Sequence, residues 1–315
     1  MKRVLVTGGA GFIGSHLAKA LLDRGDEVAI VDNFDPFYPE RLKRRGLDAR
    51  ARLFEADIRD GEAMQRAFSA VKPEVVVHLA ALAGVRPSLE RPAAYMDVNV
   101  RGTACLLEAA RTAGTRRFVL GSSSSVYGAR AEAPFRETAR IDSPESPYAA
   151  SKVASEVLAR TFHNLYGIEV AALRFFTVYG PRQRPDLAIH KFSRRMLAGK
   201  PLPFFGDGST RRDYTWVDDI VAGVLAACEV PMKWDILNLG GARTTSLAEL
   251  VTLLEDALGV KAILDRQPAQ PGDVPLTSAD VTHSGKVLGY SPGTPIQAGI
   301  RKFADWVRGE GRDWV

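Results

Sequence analysis

A glycine-rich turn in the first part of the sequence limits the possible folds more than any other feature. The segment TGGAGFIG, which begins at Thr7, follows an apolar strand pattern at residues 4–7 and opens a helical pattern at about residues 13–24. Gly8, Gly11 and Gly14 permit a tight turn and a close approach of the backbone to a pyrophosphate, whose charge is favoured at the N-terminal end of a helix. This order of strand, turn and helix predicts a parallel α/β sheet that binds a dinucleotide.

The acidic residue that a dinucleotide site needs is found at a suitable distance. Asp32 follows a second strand pattern at residues 27–31 and stands 18 residues after Gly14, close to the spacing of about 20 at which a carboxylate binds the adenosine ribose. A carboxylate there disfavours the 2′-phosphate of NADP. The basic residues within 41–45 could neutralise such a phosphate, but we expect them to form a solvated helix face. NAD is therefore the predicted cofactor.

The rest of the chain alternates between strand and helix patterns. This alternation predicts a Rossmann-type, doubly wound parallel sheet with a smaller, discontinuous C-terminal substrate domain. After Gly180 the connections become rich in proline and glycine, as in a substrate-facing insertion. We predict an NAD-binding domain at 1–175 plus about 216–240, and a smaller substrate-binding domain at 176–215 and 241–315. The further predicted strands are 52–55, 74–79, 117–121, 169–174 and 236–239, and the further helices are 62–70, 98–113, 147–166, 217–229, 247–258 and 295–307.

Composition and charge exclude several classes of protein. The formal net charge is +5, but the basic residues are scattered and no basic stripe interleaved with aromatic residues occurs, so we expect no nucleic acid partner. The sequence has no apolar window of about 18 residues, and the apolar run after Met1 is too short for a signal peptide. Cys105 and Cys228 each lie in an apolar helical pattern, which indicates buried free thiols and no metal site. We expect a cytoplasmic protein without a membrane segment.

A tyrosine and a lysine four residues apart give the first indication of chemistry. Tyr148 and Lys152 lie in the predicted helix 147–166, so both side chains project from one face. A cation held there, with a positively charged nicotinamide nearby, stabilises a phenolate and lowers the pKa of Tyr148 toward neutrality. The tyrosine could then act as a general base toward a sugar hydroxyl. The serines of residues 122–125 end a strand between the glycine turn and this helix.

These motifs resemble the extended short-chain dehydrogenase/reductase family, in particular its nucleotide-sugar epimerase branch. The resemblance covers essentially the whole chain. It rests on an ordered set of segments: TGGAGFIGSHL from Thr7, HLAALAGVRPS from His78, SSSSVYG from Ser122, SPYAASK from Ser146, RFFTVYGPRQRPD from Arg174, RRDYTWVDD from Arg211 and QPGDVPLTSAD from Gln270.

The resemblance implies a role for particular residues of this chain. It implies a UDP-sugar substrate and a homodimer that packs through the helices 98–113 and 147–166. The implied catalytic residues are Ser123, Tyr148 and Lys152. The implied cofactor-binding residues are Gly8, Gly11, Phe12, Ile13, Gly14, Asp32, Asn33, Asp57, Ile58, Leu79, Ala80, Ala81, Asn99, Tyr148 and Lys152. The implied substrate-binding residues are Arg86, Ser124, Ser125, Thr177, Arg184, Arg212 and Asp273.

Some of these residues also have a structural interpretation. Asn99 could bridge backbone groups, and Arg212 could pair with Asp218 or Asp219 instead of gripping the UDP diphosphate. Arg184 could be a surface arginine that follows a loop. The sequence alone leaves these alternatives open.

The resemblance also implies which reaction the site performs. Dehydratases and decarboxylases of the branch carry an acid where this chain has Ser125, which favours an epimerase that inverts C4 through a 4-keto sugar. Thr177 and Arg184 are similar to the residues that hold the C6 carboxylate in the glucuronate 4-epimerase subgroup. We therefore expect conversion of UDP-glucuronate to UDP-galacturonate. An epimerase for UDP-glucose or UDP-N-acetylglucosamine, a UDP-glucuronate decarboxylase and, less favoured, a silent dinucleotide sensor remain as alternatives.

Overall fold

The computed structural model describes residues 1–129, 132–268 and 274–314. The strands are β1 (Arg3–Thr7), β2 (Glu27–Asp32), β3 (Arg52–Glu55), β4 (Val75–His78), β5 (Arg117–Ser123), β6 (Glu169–Phe175), β7 (Thr177–Tyr179), β8 (Leu202–Phe205), β9 (Arg211–Arg212), β10 (Tyr214–Trp216), β11 (Trp234–Leu239), β12 (Thr245–Ser246) and β13 (Leu264–Gln267). The helices are α1 (Phe12–Asp23), α2 (Glu40–Arg45), α3 (Gly61–Val71), α4 (Val85–Glu90), α5 (Pro92–Tyr95), α6 (Gly102–Thr112), α7 (Pro147–Tyr166), α8 (Ala188–Leu197), α9 (Val217–Glu229), α10 (Leu247–Leu258), α11 (Thr282–Leu288) and α12 (Ile296–Arg308).

A parallel sheet forms the centre of the molecule. Within the described residues, seven strands pair in the order β11-β6-β5-β4-β1-β2-β3, and each pair is parallel. The strand order reverses between β1 and β4, so the connections leave to opposite sides and a crevice opens at the carboxyl ends of these strands. This arrangement confirms the predicted fold class and places the glycine turn at the crevice.

The sheet is buried on both faces. Val4 and Val6 of β1 belong to one hydrophobic core, and Leu5 between them belongs to the other. Side chains of a strand alternate between faces, so a strand covered on both faces is apolar at every position. The first core continues into α10 and α12 through Leu250 and Phe303. Because this core is continuous, the division into two domains stays a prediction.

The predicted central elements agree with the structure to within a few residues, but the short elements were missed. The predicted helix 98–113 instead begins with a π-helical turn, Met96–Arg101, before α6.

The helix α2 does form in the basic segment, but our expectation of a solvated face is wrong for Lys43, which is buried and donates to the carbonyl of Asp35 at 2.5 Å. Cys228 is a buried free thiol as expected, whereas the free thiol of Cys105 is only partly buried.

None of the helices in the described parts of the chain combines the length and the apolar character that crossing a membrane requires.

Candidate active site

The glycine turn is packed more closely than a residue with a side chain would allow. Gly8 has a φ of 70°. A Cβ at Gly8 would lie 2.6 Å from the backbone nitrogen of Ala80, and a Cβ at Gly14 would lie 2.2 Å from the carbonyl oxygen of Gly8. Phe12 and Ile13 form the start of α1, so the positive end of this helix stands at the carboxyl end of β1. The turn thus has the geometry that a pyrophosphate needs.

Asp32 connects the turn to the end of β2. Its carboxylate accepts the backbone N–H of Ala10 at 3.0 Å and that of Phe34 at 2.9 Å. The side chain is buried, and burial raises the pKa of Asp32 while the two N–H donors act against this shift. Each carboxylate oxygen can accept a further hydrogen bond, so the group still fits the ribose hydroxyls of NAD.

The other predicted adenosine contacts lie together beside Asp32. The amide of Asn33 donates to the carboxylate of Asp57 at 2.9 Å. The guanidinium of Arg59 holds the pKa of Asp57 at about 2, so this carboxylate stays charged. Ile58 is buried, and a Cβ at Gly102 would lie 2.5 Å from its side chain. Residues that are distant in sequence therefore form one wall of the crevice.

The segment after β4 forms the opposite wall. Leu79 N–H donates to the carbonyl of Thr7 at 3.0 Å, and Ala80 N–H lies 3.3 Å from the Thr7 hydroxyl. Ala81 follows in the same extended segment. Asn99 bridges the next residue, because its side chain accepts the N–H of Leu82 at 2.8 Å and donates to the carbonyl of Leu82 at 3.0 Å. The described hydrogen bonds of Asn99 thus match its structural interpretation, and its direct contact with NAD stays a prediction.

A buried polar chain beneath this wall was missed at the sequence level. Thr103 donates to the carbonyl of Asn99 at 2.5 Å, so Nε2 of His78, 3.0 Å away, must donate to Thr103. Nδ1 of His78 then accepts from the Thr7 hydroxyl at 2.7 Å. Burial lowers the pKa of His78 to about 3, which keeps the imidazole neutral as this pattern requires. One feature of the sequence could have indicated this polar chain: each of two apolar strands ends in a polar residue. These residues, Thr7 and His78, are register partners in the adjacent strands β1 and β4.

The predicted catalytic residues come from β5 and α7. The helix α7 begins after Ser146, whose hydroxyl accepts the N–H of Ala149 at 3.1 Å. Lys152 is buried, and its Nζ donates to the carbonyl of Gly121 at 2.7 Å. Gly121 lies two residues before Ser123, so this bond fixes α7 against the end of β5.

In the protein alone, the pKa of Tyr148 is raised, whereas the sequence predicts that it is lowered. Burial raises the pKa of Tyr148, while a hydrogen bond with Ser123 and the positive charge of Arg184 act in the opposite direction. Burial also lowers the pKa of Lys152 to about 8, against the field of Glu156. The predicted lowering of the Tyr148 pKa therefore needs the positive nicotinamide as well as Lys152.

The serines beside Tyr148 form a hydrogen-bonded turn. Ser123 ends β5, and Ser124 begins a single 3₁₀ turn, Ser124–Tyr127. The hydroxyl of Ser123 accepts the N–H of Ser125 at 3.2 Å and lies 2.8 Å from the Ser125 hydroxyl. These contacts orient the Ser123 hydroxyl toward its hydrogen bond with Tyr148.

Arg184 lies near Tyr148 and is not a freely solvated arginine. Its Nε and Nη2 donate to the two carboxylate oxygens of Asp186 at 3.0 and 2.7 Å, and its side chain is 17% exposed. The guanidinium lies 4.6 Å from the ring centroid of Phe37. Its charge acts on the pKa values of Tyr148 and Tyr38. The surface interpretation of Arg184 is therefore wrong.

The loop that carries Arg184 is held by two neutral histidines. Nδ1 of His190 lies 2.5 Å from the carbonyl oxygen of Gln183, and Nε2 of His16 lies 2.9 Å from that of Pro181. Burial lowers the pKa of each imidazole to about 4. Sequence analysis missed both histidines, because their contacts are with backbone atoms of distant residues.

The remaining predicted substrate residues lie on separate elements. Thr177 begins β7 and pairs with Tyr214 of β10. Arg86 lies on α4 with its guanidinium 5.4 Å from the ring of Phe205, and Arg212 lies on β9. The two aspartates considered as alternative partners of Arg212 also have other contacts. Trp216 donates to Asp218, and Asp219 accepts the N–H groups of Gly293 and Thr294. Asp273 is outside the described residues.

Comparison with known proteins finds a matching family and several similar UDP-sugar 4-epimerases. Residues 4–240 match the NAD dependent epimerase/dehydratase family. The chain is 39% identical to the UDP-glucuronate 4-epimerase of Thermodesulfobacterium geofontis, over 96% of this chain and 95% of that protein. It is similar to the Bacillus cereus UDP-glucuronic acid 4-epimerase in complex with UDP-glucuronic acid and NAD, with a TM-score of 0.91, 36% identity and coverage of 97% and 98%. The UDP-glucose 4-epimerase of Thermotoga maritima with UDP-glucose gives a TM-score of 0.92, 35% identity and coverage of 98% and 99%.

We expect Gly14→Ala to weaken NAD binding by roughly one to two decades, because overpacking costs about 1–3 kcal/mol and here the new Cβ meets backbone. The matched control is Gly61→Ala at the start of α3, where an added Cβ meets no atom within 4 Å. Nicotinamide released by denaturing each purified protein measures the occupancy. Equal occupancy in the two variants would show that the turn does not hold the cofactor.

Proposed function

The chain belongs to the NAD-dependent epimerase/dehydratase family, and from this premise we propose that it is a nucleotide-sugar 4-epimerase that interconverts UDP-glucuronate and UDP-galacturonate. The observation that carries the choice of sugar is Arg184, a largely buried arginine whose charge acts on Tyr148. Arg212 is proposed to bind the UDP diphosphate, because a guanidinium fork matches phosphate oxygens.

The protein's own residues supply the proton chemistry of this reaction. When bound, NAD⁺ would accept the hydride from C4 of the sugar and return it. Tyr148 removes the proton of the C4 hydroxyl, and Ser123, hydrogen-bonded to Tyr148, orients the hydroxyl and relays the proton. Lys152 is fixed by Gly121 so that its charge stabilises the phenolate. The same groups return the proton when the 4-keto sugar is reduced from its other face.

The serine turn supports an epimerase over a dehydratase or decarboxylase. Those reactions need an acid to act next to the 4-keto group, whereas Ser125 supplies a hydroxyl that is engaged with Ser123 at 2.8 Å. The turn therefore contributes orientation and no second acid. Epimerisation requires only that the ketone turns between the two hydride transfers.

The geometry of Arg184 suits a uronic acid. Asp186 occupies the edge formed by Nε and Nη2, so the edge formed by Nη1 and Nη2 can pair with the C6 carboxylate of the sugar. The 4-keto form of a uronic acid is a β-keto acid, which loses CO₂ when its carboxylate bond aligns with the carbonyl π system. An arginine that fixes the carboxylate out of this alignment, together with Thr177, would suppress decarboxylation.

A neutral UDP-hexose is the second candidate substrate. The observation that favours it is the structural similarity to the Thermotoga maritima enzyme bound to UDP-glucose. Incubation of the pure protein with UDP-glucuronate and, separately, with UDP-glucose, followed by separation of UDP-galacturonate, UDP-galactose and UDP-pentose, tests the proposal. Faster turnover of UDP-glucose would favour the neutral-sugar epimerase.

We also propose that the protein is a cytoplasmic homodimer. Val157 and Leu165 of α7 are 58% and 65% exposed, which is consistent with packing of α6 and α7 against a second copy. The proposed domains remain 1–175 plus about 216–240 for NAD, and 176–215 and 241–315 for the nucleotide-sugar.

Replacing the proposed base should stop catalysis and leave the fold intact. Tyr148→Phe removes only the phenol oxygen, and loss of a positioned acid/base group costs about 10² to 10⁴ in rate. Ser123→Ala should cost less, because the serine orients and relays the proton. Initial rates with UDP-glucuronate and the melting temperature measure both effects. Near-full turnover by Tyr148→Phe would contradict the mechanism.

Removing the arginine should change both sugar preference and product. A charge-assisted pair contributes about 1.5 to 3 kcal/mol, so Arg184→Ala should weaken the binding of UDP-glucuronate by roughly one to two decades and leave the binding of UDP-glucose almost unchanged. The freed carboxylate should also raise the share of UDP-pentose. The control is Arg301→Ala, which replaces an exposed arginine of α12. Equal losses for both sugars with an unchanged product ratio would mean that Arg184 is structural.

A further inference from the structure

A buried ion pair lies directly behind the proposed catalytic residues. Nε and Nη2 of Arg174 donate to the two carboxylate oxygens of Glu156 at 3.0 and 2.8 Å, and the two side chains are 1% and 3% exposed. The guanidinium also lies 4.8 Å from the ring centroid of Tyr127. Burying two charges costs nearly as much as their attraction returns, so such a pair contributes little to stability by itself. Its position is more informative than its energy.

The carboxylate of Glu156 contacts both elements that carry the reacting groups. Glu156 follows Lys152 by one turn of α7, which is a rise of about 6 Å. The Ser122 hydroxyl, next to Ser123 in β5, donates to Glu156 at 2.5 Å. Together with the bond from Lys152 to the carbonyl of Gly121, this contact joins β5 to α7 at two points one helical turn apart.

We propose that Glu156 and Arg174 are positioning residues: the charge of the Glu156 carboxylate holds Lys152 protonated, and Arg174 keeps that carboxylate ionised and in place. This inference rests on the proposed function, because it concerns the same reacting groups. Neither residue needs to touch the sugar or the cofactor. The ion pair acts through its electrostatic field.

Among the described groups near Lys152, the Glu156 carboxylate is the charge that favours the protonated form of Lys152. The Glu156 carboxylate raises the pKa of Lys152, against the larger effect of burial. His78 on β4 is neutral, because burial lowers its pKa to about 3, and burial raises the pKa of Tyr127 to about 12. Of the described charged or titratable groups on neighbouring elements, His78 on β4 faces Lys152, and Tyr95 on α5 and Arg184 after β7 face Tyr148. Arg174 on β6 faces Glu156, and Tyr127 in the 3₁₀ turn faces Arg174.

Two variants that change the local charge in opposite directions test the proposal. Glu156→Gln keeps the shape but leaves the site more positive, so the proton should leave Tyr148 and Lys152 at lower pH. Arg174→Gln leaves it more negative and should shift both titrations to higher pH. For the loss of the Glu156 charge, an effective dielectric constant near 20 gives a shift of about two pH units for Lys152, one helical turn away, and of about one unit for Tyr148, two turns away. The matched control, Ser122→Ala, removes the hydroxyl contact without a change in charge and should shift neither titration.

The titration is read in two ways on the purified holoenzyme. The ultraviolet difference spectrum follows formation of the Tyr148 phenolate without substrate, and Tyr148→Phe identifies that signal among the other tyrosines. The pH profile of kcat then follows both groups during turnover. Because the spectrum does not depend on the sugar, it tests the ion pair even if the proposed substrate is wrong.

Opposite shifts of the phenolate titration in the two variants, with none in Ser122→Ala, support the proposal. Unmoved titrations, or shifts in the same direction, overturn it and leave the ion pair a packing element only. Should Glu156→Gln fail to fold, Arg174→Gln is compared with Arg174→Lys, which retains the charge. A shift to higher pH in the first alone supports the proposal, and equal titrations overturn it.

Discussion

The close contact between the glycine turn and the segment after β4 is the constraint on which the rest of the site depends. Gly8 and Gly14 have no room for a side chain, because backbone atoms of Ala80 and of Gly8 itself occupy the space. This contact brings the end of β1, the start of α1 and residues 79–81 into one crevice. Every proposed cofactor contact is positioned relative to this crevice, including Asp32, which caps the turn from β2.

A second level of organisation attaches the catalytic helix to the sheet through buried polar groups. Lys152 binds the carbonyl of Gly121, Glu156 accepts from Ser122, and Asn99 donates to Ser151 at 2.9 Å. Buried hydrogen bonds of this kind specify one register, because a shifted register would leave polar groups unpaired in the core. The helix α7 therefore cannot move along β5 without the loss of several contacts, and Tyr148 stays beside Ser123.

The central sheet could be predicted well from the sequence, and the proposed substrate side less well. The strands of the sheet are apolar over several residues, because both faces are covered, and this pattern is visible without a structure. The strands β7 to β10 are two to four residues long, too short to show a period. The contacts of His190 and His16 with the loop that carries Arg184 could not be predicted either. Both imidazoles bind backbone carbonyl groups, which every residue has.

The sequence by itself determined the fold class, and its ordered motifs indicated the family. Local physics suffices for the fold class and for the geometry of the predicted site: glycines permit the turn, apolar runs form the sheet, and a spacing of four residues places Tyr148 and Lys152 on one helix face. Tertiary structure alone decided the environment of those side chains. It buried Lys43, neutralised His78, paired Arg184 with Asp186 and placed the Glu156–Arg174 pair behind Lys152. Burial and electrostatic fields are sums over residues that are distant in sequence, so no local pattern contains them.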